Sequence, residues 1–168
     1  MTSIPLQRRS PWPRLAVGLV AVAAIVFAAS AAFAGECPAD KRVADGKGQA
    51  PGPTMPQGVT DVVRASTDVA KTFGIKGRQF RLRELVMMPG GIVPWHSHNE
   101  RPAMIYIVSG EVVEYASSCA VPIVHKAGDV APETKGTSHW WKNTGTTPAV
   151  LISADLLPTE MAADPHMM

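Results

Sequence analysis

Short apolar segments separated by turn residues follow one another closely through most of the chain. From Gln79 to Met88 the apolar residues Phe80, Leu82, Val86 and Met88 share one strand parity, which is interrupted by Glu84. Such alternation is typical of a β-strand. Further strand-like segments are Asp61 to Ala65, Met104 to Val108, Val112 to Tyr115, Val121 to His125, His139 to Lys142 and Ala149 to Leu157. Many short strands without a helical period predict an all-β sandwich or barrel.

The turns between these segments contain glycine and proline. They fall at Pro89-Gly90-Gly91, Ser109-Gly110-Glu111, Lys126 to Asp129 and Thr144 to Pro148. Glycine and proline are the residues that most often interrupt regular structure, so we expect Pro89-Gly90-Gly91 to separate two strands.

The first 34 residues have the features of an export signal. Arg8, Arg9 and Arg14 precede an uncharged run that ends in Ala32-Phe33-Ala34 before Gly35, a small-x-small cleavage site. We predict cleavage after Ala34 and a periplasmic or secreted protein. The alternative is an uncleaved membrane anchor, since about 20 apolar residues can span a bilayer. The Arg8-Arg9 pair gives only a weak indication of twin-arginine export.

The remaining chain divides into three parts. Residues 35–58 form a flexible arm rich in proline and glycine, residues 59–158 form the barrel, and residues 159–168 form a C-terminal tail. The chain of 168 residues is 46% hydrophobic, which suits one domain with a genuine core.

Removal of the signal changes the charge balance. Without its three arginines, 13 Lys and Arg face 14 Asp and Glu. The slightly basic character of the full chain therefore belongs to the signal, and composition does not support nucleic-acid binding.

A histidine pair is the strongest chemical feature of the sequence. His96 and His98 lie two positions apart, so on a strand they share a face and sit roughly 6.5–7 Å apart. Two imidazoles at that spacing can converge on one metal ion. His139 is the candidate third ligand, and imidazole suits Fe, Ni, Cu and Zn.

The surroundings of these histidines resemble the two motifs of the cupin superfamily. Gly90, His96, His98 and Gly110 fall at the positions of the first motif. Gly128, Gly136, His139 and Asn143 fall at those of the second, with Thr134 where proline is usual. The resemblance implies a double-stranded β-helix, or jelly roll, with a divalent metal inside (Fe, Mn, Ni or Zn), and a homodimer.

One residue departs from the first motif. The glutamate ligand is expected at position 103, which holds Ala103. Glu100 is the candidate replacement, but Arg101-Pro102 interrupts the strand beside it. Without either carboxylate, three neutral imidazoles resemble the arrangement in thiol dioxygenases and should favour an anionic ligand in the vacated position. In that interpretation the protein ligands of the metal are His96, His98 and His139.

The sequence leaves the activity open among three alternatives. The first is a metal-dependent, oxidative enzyme acting on a small anionic molecule; the others are a binding module without turnover and a metal-free structural barrel. Strand alternation places Trp141 on the same face as His139, where an ordinary core aromatic is favoured over a residue that lines a ligand pocket. The catalytic group is undetermined, with Glu100, Tyr106 and Tyr115 the nearest acidic or basic candidates.

Cys37 and Cys119 are the two cysteines of the chain. In an oxidising compartment an intramolecular bridge between them is favoured over free thiols or a bridge between subunits. Such a bridge would tie the arm to the barrel.

Overall fold

The computed structural model describes residues 35–163. The predicted export signal and the last five residues of the predicted tail lie outside this range. The described chain contains short 3-10 helices at Ala39–Lys41 and Thr159–Ala163 and one α-helix, α1 (Val69–Phe73). Its strands are β1 (Gln57–Asp68), β2 (Arg78–Ser97), β3 (Ala103–Ser109), β4 (Glu111–Ala116), β5 (Ile123–Lys126), β6 (Val130–Glu133), β7 (Ser138–Lys142) and β8 (Ala149–Pro158).

The strands form a nearly closed antiparallel sheet in the order β5-β4-β7-β2-β8-β3-β6, with β1 added beside β2. Apart from β4 and β5, neighbours in this order are not consecutive in sequence, as in a jelly roll. The all-β prediction is therefore confirmed. An apolar cluster of Leu85, Met87, Ile107, Val112, Leu151 and their neighbours fills one part of the interior.

Strand β2 is longer than predicted. The predicted turn at Pro89-Gly90-Gly91 is wrong, because β2 continues through it and pairs first with β8 and then with β7. Gly90 has φ of 77°, which a residue with a side chain rarely adopts, and it gives the strand the bend it needs to serve both partners. The Gly90 N–H donates to the Asn143 carbonyl, and the Asn143 N–H donates to the Gly91 carbonyl. This contact joins the two motifs beside the histidines.

The apolar alternation in the first half of β2 faces outward. Phe80 is 45% exposed and Leu82 39% exposed, whereas Arg81 and Arg83 are buried. Burial of arginine is tolerated because each guanidinium has an acidic partner. Arg81 forms a bidentate pair with Asp155, at 2.9 and 2.6 Å, and Arg83 pairs with Asp61. One end of the barrel interior is thus charged.

The arm lies against the barrel. The Gly48 and Gln49 N–H groups donate to the Ser117 and Ala116 carbonyls, and Trp95 N–H donates to Pro53. The disulfide joins Cys37 to Cys119 with 5.9 Å between their Cα atoms, which confirms the predicted intramolecular bridge. The arm is therefore fixed both covalently and by backbone hydrogen bonds.

Candidate metal centre

Three strands bring four potential metal ligands together inside the barrel. His96 lies near the end of β2 and faces His139 of β7 across the sheet. His98 follows β2 and is held by its backbone N–H, which donates to the Thr137 carbonyl at 3.1 Å. Glu133, at the end of β6, completes the group, and one ligand atom from each residue lies within 4.8 Å of the others. His98, His139 and Glu133 are buried, and His96 is partly buried.

Hydrogen bonds at the outer edges of the rings orient all three imidazoles. His96 Nδ1 lies 2.8 Å from the Pro94 carbonyl, and His98 Nδ1 lies 2.7 Å from the Arg101 carbonyl. His139 Nδ1 lies 2.6 Å from Glu114 Oε1. Carbonyl and carboxylate oxygens only accept, so each Nδ1 carries the proton. Each neutral ring therefore presents an unprotonated Nε2 to the centre of the site, as a metal-ligating histidine does.

The inner atoms of the four residues lie close together. His96 Nε2 lies 2.9 Å from His98 Nε2 and 3.2 Å from His139 Nε2. Glu133 oxygens lie 3.1 Å from His98 Nε2 and 3.3 Å from His139 Nε2. When Glu133 is ionised and the three rings are neutral, lone pairs face one another at these distances and repel unless a cation lies between them. The donor set therefore fits a divalent metal held by nitrogen and oxygen ligands.

Glu133 corrects the expectation of a site without a carboxylate. Its backbone partner on β3 is Ala103, the position where the motif has glutamate. The carboxylate thus comes from the neighbouring strand, directly opposite the substituted position. Glu100 lies elsewhere: its side chain is 66% exposed and its nearest cation is Arg78, at 3.9 Å. The resemblance to a three-imidazole site of the thiol-dioxygenase type loses its basis.

Burial keeps the first two imidazoles neutral. Burial, followed by the charges of neighbouring histidines, lowers the pKa of His96 well below 6.5 and that of His98 to about 3. Burial also raises the pKa of Glu133 to about 7. His139 has a raised pKa: burial opposes this shift, but Glu133 and Glu114 outweigh it. The buried cluster thus disfavours the negative charge of Glu133, and a bound cation would offset this cost.

A second carboxylate supports the site from outside. Glu114 of β4 contacts His139 Nδ1 with one oxygen and His125 Nε2, at 2.8 Å, with the other. Burial opposes its ionisation, but hydrogen bonds from the two histidines lower the pKa of Glu114 to about 2. A fixed anion behind His139 sets the ring orientation and increases its basicity as a ligand.

A small cavity adjoins the cluster. Its volume is about 20 Å³, enough for roughly one water molecule. His96, Glu133, Arg83 and Trp141 line it together with aliphatic side chains. Trp141 is 2% exposed and forms an edge contact with the His139 ring, so the structure places this candidate pocket residue in the cavity wall. The Trp141 Nε1–H also points at His139 Nδ1, but that atom already carries the proton directed at Glu114.

The tyrosines lie away from the cluster. Tyr106 is 46% exposed on the outside of β3, and Tyr115 stacks on Trp140 with ring centres 4.1 Å apart. Neither they nor Glu100 line the cavity. The acidic and basic groups that do face the site, Glu133 and Arg83, were missed from the sequence.

Comparison with known proteins identifies the family. The sequence profile of the Cupin domain matches residues 83–155, which include all four clustered residues. Residues 83–155 are therefore those of a cupin domain. A Thermotoga maritima structure described as a predicted oxalate decarboxylase aligns with a TM-score of 0.50 and 21% identity, covering 73% of this chain and 98% of that one. This cupin therefore shares its fold with that protein.

Curated relatives of this cupin are plant proteins. Auxin-binding protein ABP19b of Prunus persica is 31% identical over 89 residues, covering 51% of this chain and 43% of the relative. Germin-like protein 5-1 of Oryza sativa subsp. japonica is 30% identical over 95 residues, covering 55% and 43%. The cupin thus spans about half the length of these relatives. Among residues 35–163, no helix is both long and apolar enough to cross a membrane.

Proposed function

We propose that this cupin is an exported protein that binds one divalent metal through His96, His98, His139 and Glu133, and acts oxidatively on a small anionic molecule. The observation that carries the proposal is the convergence of three imidazole Nε2 atoms and one carboxylate in a buried site, with each Nδ1 directed at an oxygen outside the cluster. When bound there, a metal with open positions would supply Lewis-acid or redox chemistry. The Cys37–Cys119 disulfide supports an oxidising compartment.

The charges around the cavity support an anionic ligand. Glu133 offsets one unit of a divalent cation, and the Arg83 guanidinium lies in the cavity wall, where it pairs with Asp61 and Asp155. Buried Arg101 joins the same network through Asp155, at 3.6 Å. The network then holds three arginines against two aspartates, which leaves one net positive charge near the cavity. The apolar part of the wall, Leu85, Val93, Ile105 and Leu151, excludes bulk water and strengthens these interactions.

The chain's own residues then have separate tasks. Glu114 holds the His139 ring in orientation, Glu133 completes the ligand set, and Arg83 attracts and orients an anion beside the ligands. The small cavity limits the ligand portion next to the cluster to a group about the size of a water molecule.

Metal analysis followed by anion titration tests the proposal. Elemental analysis of the exported protein should give one divalent metal per chain, lost in His139→Ala. The reloaded protein should bind formate or acetate, and Arg83→Met should weaken this binding while metal content is kept. Arg81→Met is the matched control, because Arg81 belongs to the same ion-pair network but does not line the cavity. Absence of metal, or equal anion binding by both variants, would contradict the proposal.

A binding module without turnover is the second candidate. The name of the peach relative describes it as auxin-binding, and the cavity beside the cluster is small. In that case a ligand should bind the metal-loaded protein stoichiometrically, and no oxygen consumption should accompany incubation with small reducing acids. Oxygen uptake that depends on the metal and on Arg83 would favour the enzyme.

A further inference from the structure

His125 lies behind the metal centre and is linked to His139 through Glu114. His125 of β5 is 0% exposed, and its ring stacks on Trp141 with centres 4.5 Å apart. Its Nε2 contacts the Glu114 carboxylate, which only accepts, so Nε2 carries the proton. In the neutral ring Nδ1 is therefore an acceptor that needs a donor. Among residues 35–163 it has none, and a buried acceptor without a donor destabilises a fold.

Gly35 lies directly against this nitrogen. A methyl group built on Gly35 would lie 3.0 Å from His125 Nδ1 and 3.0 Å from the Asp129 Cβ atom. Gly35 also has φ of 93°, which favours glycine. The backbone of Gly35 can approach His125 and Asp129 this closely only because the residue has no side chain.

Gly35 is also the residue that follows the predicted cleavage site, Ala32-Phe33-Ala34. We propose that cleavage after Ala34 creates an α-ammonium group on Gly35 which docks on the barrel between His125 Nδ1 and the Asp129 carboxylate. An amide N–H offers one donor, whereas an ammonium offers three donors and a positive charge, and an α-amino group is protonated below about pH 7.7–8.0. One donor satisfies His125 and another pairs with Asp129.

The neighbouring contacts hold Gly35 in place without residues 1–34. Cys37, two residues along the chain, is bridged to Cys119. Glu36 pairs with Arg42 at 3.1 Å, which directs its carboxylate away from the new terminus. Asp129 accepts the Lys126 N–H at Oδ2 and keeps Oδ1 for the ammonium. The docking position is thus prepared by the folded, oxidised chain.

Docking would connect processing to the metal centre. A donor at His125 Nδ1 fixes the ring with its proton on Nε2, facing Glu114, and Glu114 in turn orients His139. The unprocessed chain lacks this support. The connection to the metal rests on the proposed function, but the docking itself does not, because it involves no metal ligand.

Three oxidised chains test the docking: one that begins at Gly35, one that begins at Ala34, and one that begins at Nα-acetylated Gly35. The extra residue moves the amine by about 3.8 Å, and acetylation removes its charge at unchanged position. In metal-free buffer the Gly35 chain should melt roughly 3–5 °C above the other two. Asp129→Asn should reduce this gap, and Asp40→Asn, an exposed aspartate of the arm paired with Lys41, should leave it unchanged.

A spectroscopic measurement separates docking from a general effect on stability. The ¹⁵N shift of His125 Nδ1 should report a hydrogen-bonded acceptor in the Gly35 chain and differ in the other two. Equal melting temperatures and equal shifts in all three chains would overturn the proposal, as would an exported protein whose first residue is not Gly35. A melting gap without any metal binding would uphold the docking and refute the metal proposal.

Discussion

Moving the carboxylate from position 133 to position 103 should preserve the metal centre, because the two positions are paired across β3 and β6. Ala103 and Glu133 are both buried and directly opposite. Side chains so paired have Cβ atoms about 4.5–5.5 Å apart, a distance that a glutamate side chain can make up. A carboxylate on either strand can therefore reach the three imidazoles.

The magnitude follows from the role of Glu133 as one of four clustered ligands. Loss of an outer partner of a metal site costs about 10–100-fold in affinity, so loss of a ligand should cost at least about 100-fold, or roughly 2.7 kcal/mol. Glu133→Ala should show this loss, and the double variant Ala103→Glu/Glu133→Ala should recover to within about 10-fold of the original affinity. Ala103→Glu alone should not tighten binding, because it overfills the site at a cost of about 1–3 kcal/mol.

Competition titration against a fluorescent chelator, with Mn²⁺ and Zn²⁺ on metal-free protein, measures these affinities. Glu100→Gln is the matched control, since that carboxylate is exposed and outside the cluster. The reasoning is refuted if Glu133→Ala binds metal as tightly as the unmodified protein, or if the double variant is as weak as Glu133→Ala.

Further substitutions probe the supports of the site. Glu114→Gln should lower metal affinity by about 10–100-fold with an unchanged far-UV spectrum, because Glu114 orients His139; an unaltered affinity would contradict this. Burial raises the pKa of Glu133 from 4.5 to about 7, so the metal-free folded state binds a proton that the unfolded chain loses at lower pH. Relative to Glu133→Gln, metal-free protein should therefore lose stability as pH rises from 4.5 to 7, and a constant difference between urea midpoints would disprove it. Asp155→Asn should destabilise by about 3–5 kcal/mol in urea, since it removes the carboxylate shared by the buried arginines; a loss under 1 kcal/mol would contradict the network. Replacing Cys37 and Cys119 by serine should cost about 4 kcal/mol, because the bridge spans 82 positions, and wild-type protein treated with reductant should lose as much.

Local spacing predicted the histidines because strand periodicity is a property of neighbouring residues. His96 and His98 share a face whatever the rest of the fold does, and the glycine offsets placed His139 with them. Cys37 and Cys119 were predictable for a similar reason, since two cysteines in an exported chain leave few pairings. These features need no knowledge of strand register.

Glu133 and the arginines depend on register and on partners far away in sequence. Glu133 enters the site because β6 pairs with β3, which the sequence does not disclose. Arg81 and Arg83 face inward because Asp155 and Asp61 neutralise them, so the apolar alternation of β2 indicated the strand but not its buried face. A signal for Glu114 did exist: it lies between Val113 and Tyr115 in the middle of β4, and an acidic residue among apolar strand residues is costly to bury without a partner.

The coordination shell of the bound metal tests the central claim most directly. X-ray absorption at the metal edge of the reloaded, disulfide-bonded protein should show three imidazole nitrogens and at least one carboxylate oxygen at about 2.0–2.2 Å for zinc. In Glu133→Ala the carboxylate contribution should disappear, and in Ala103→Glu/Glu133→Ala it should return. A shell that contains sulfur, that lacks imidazole, or that keeps the same carboxylate in Glu133→Ala would contradict the assignment of His96, His98, His139 and Glu133 as the metal ligands.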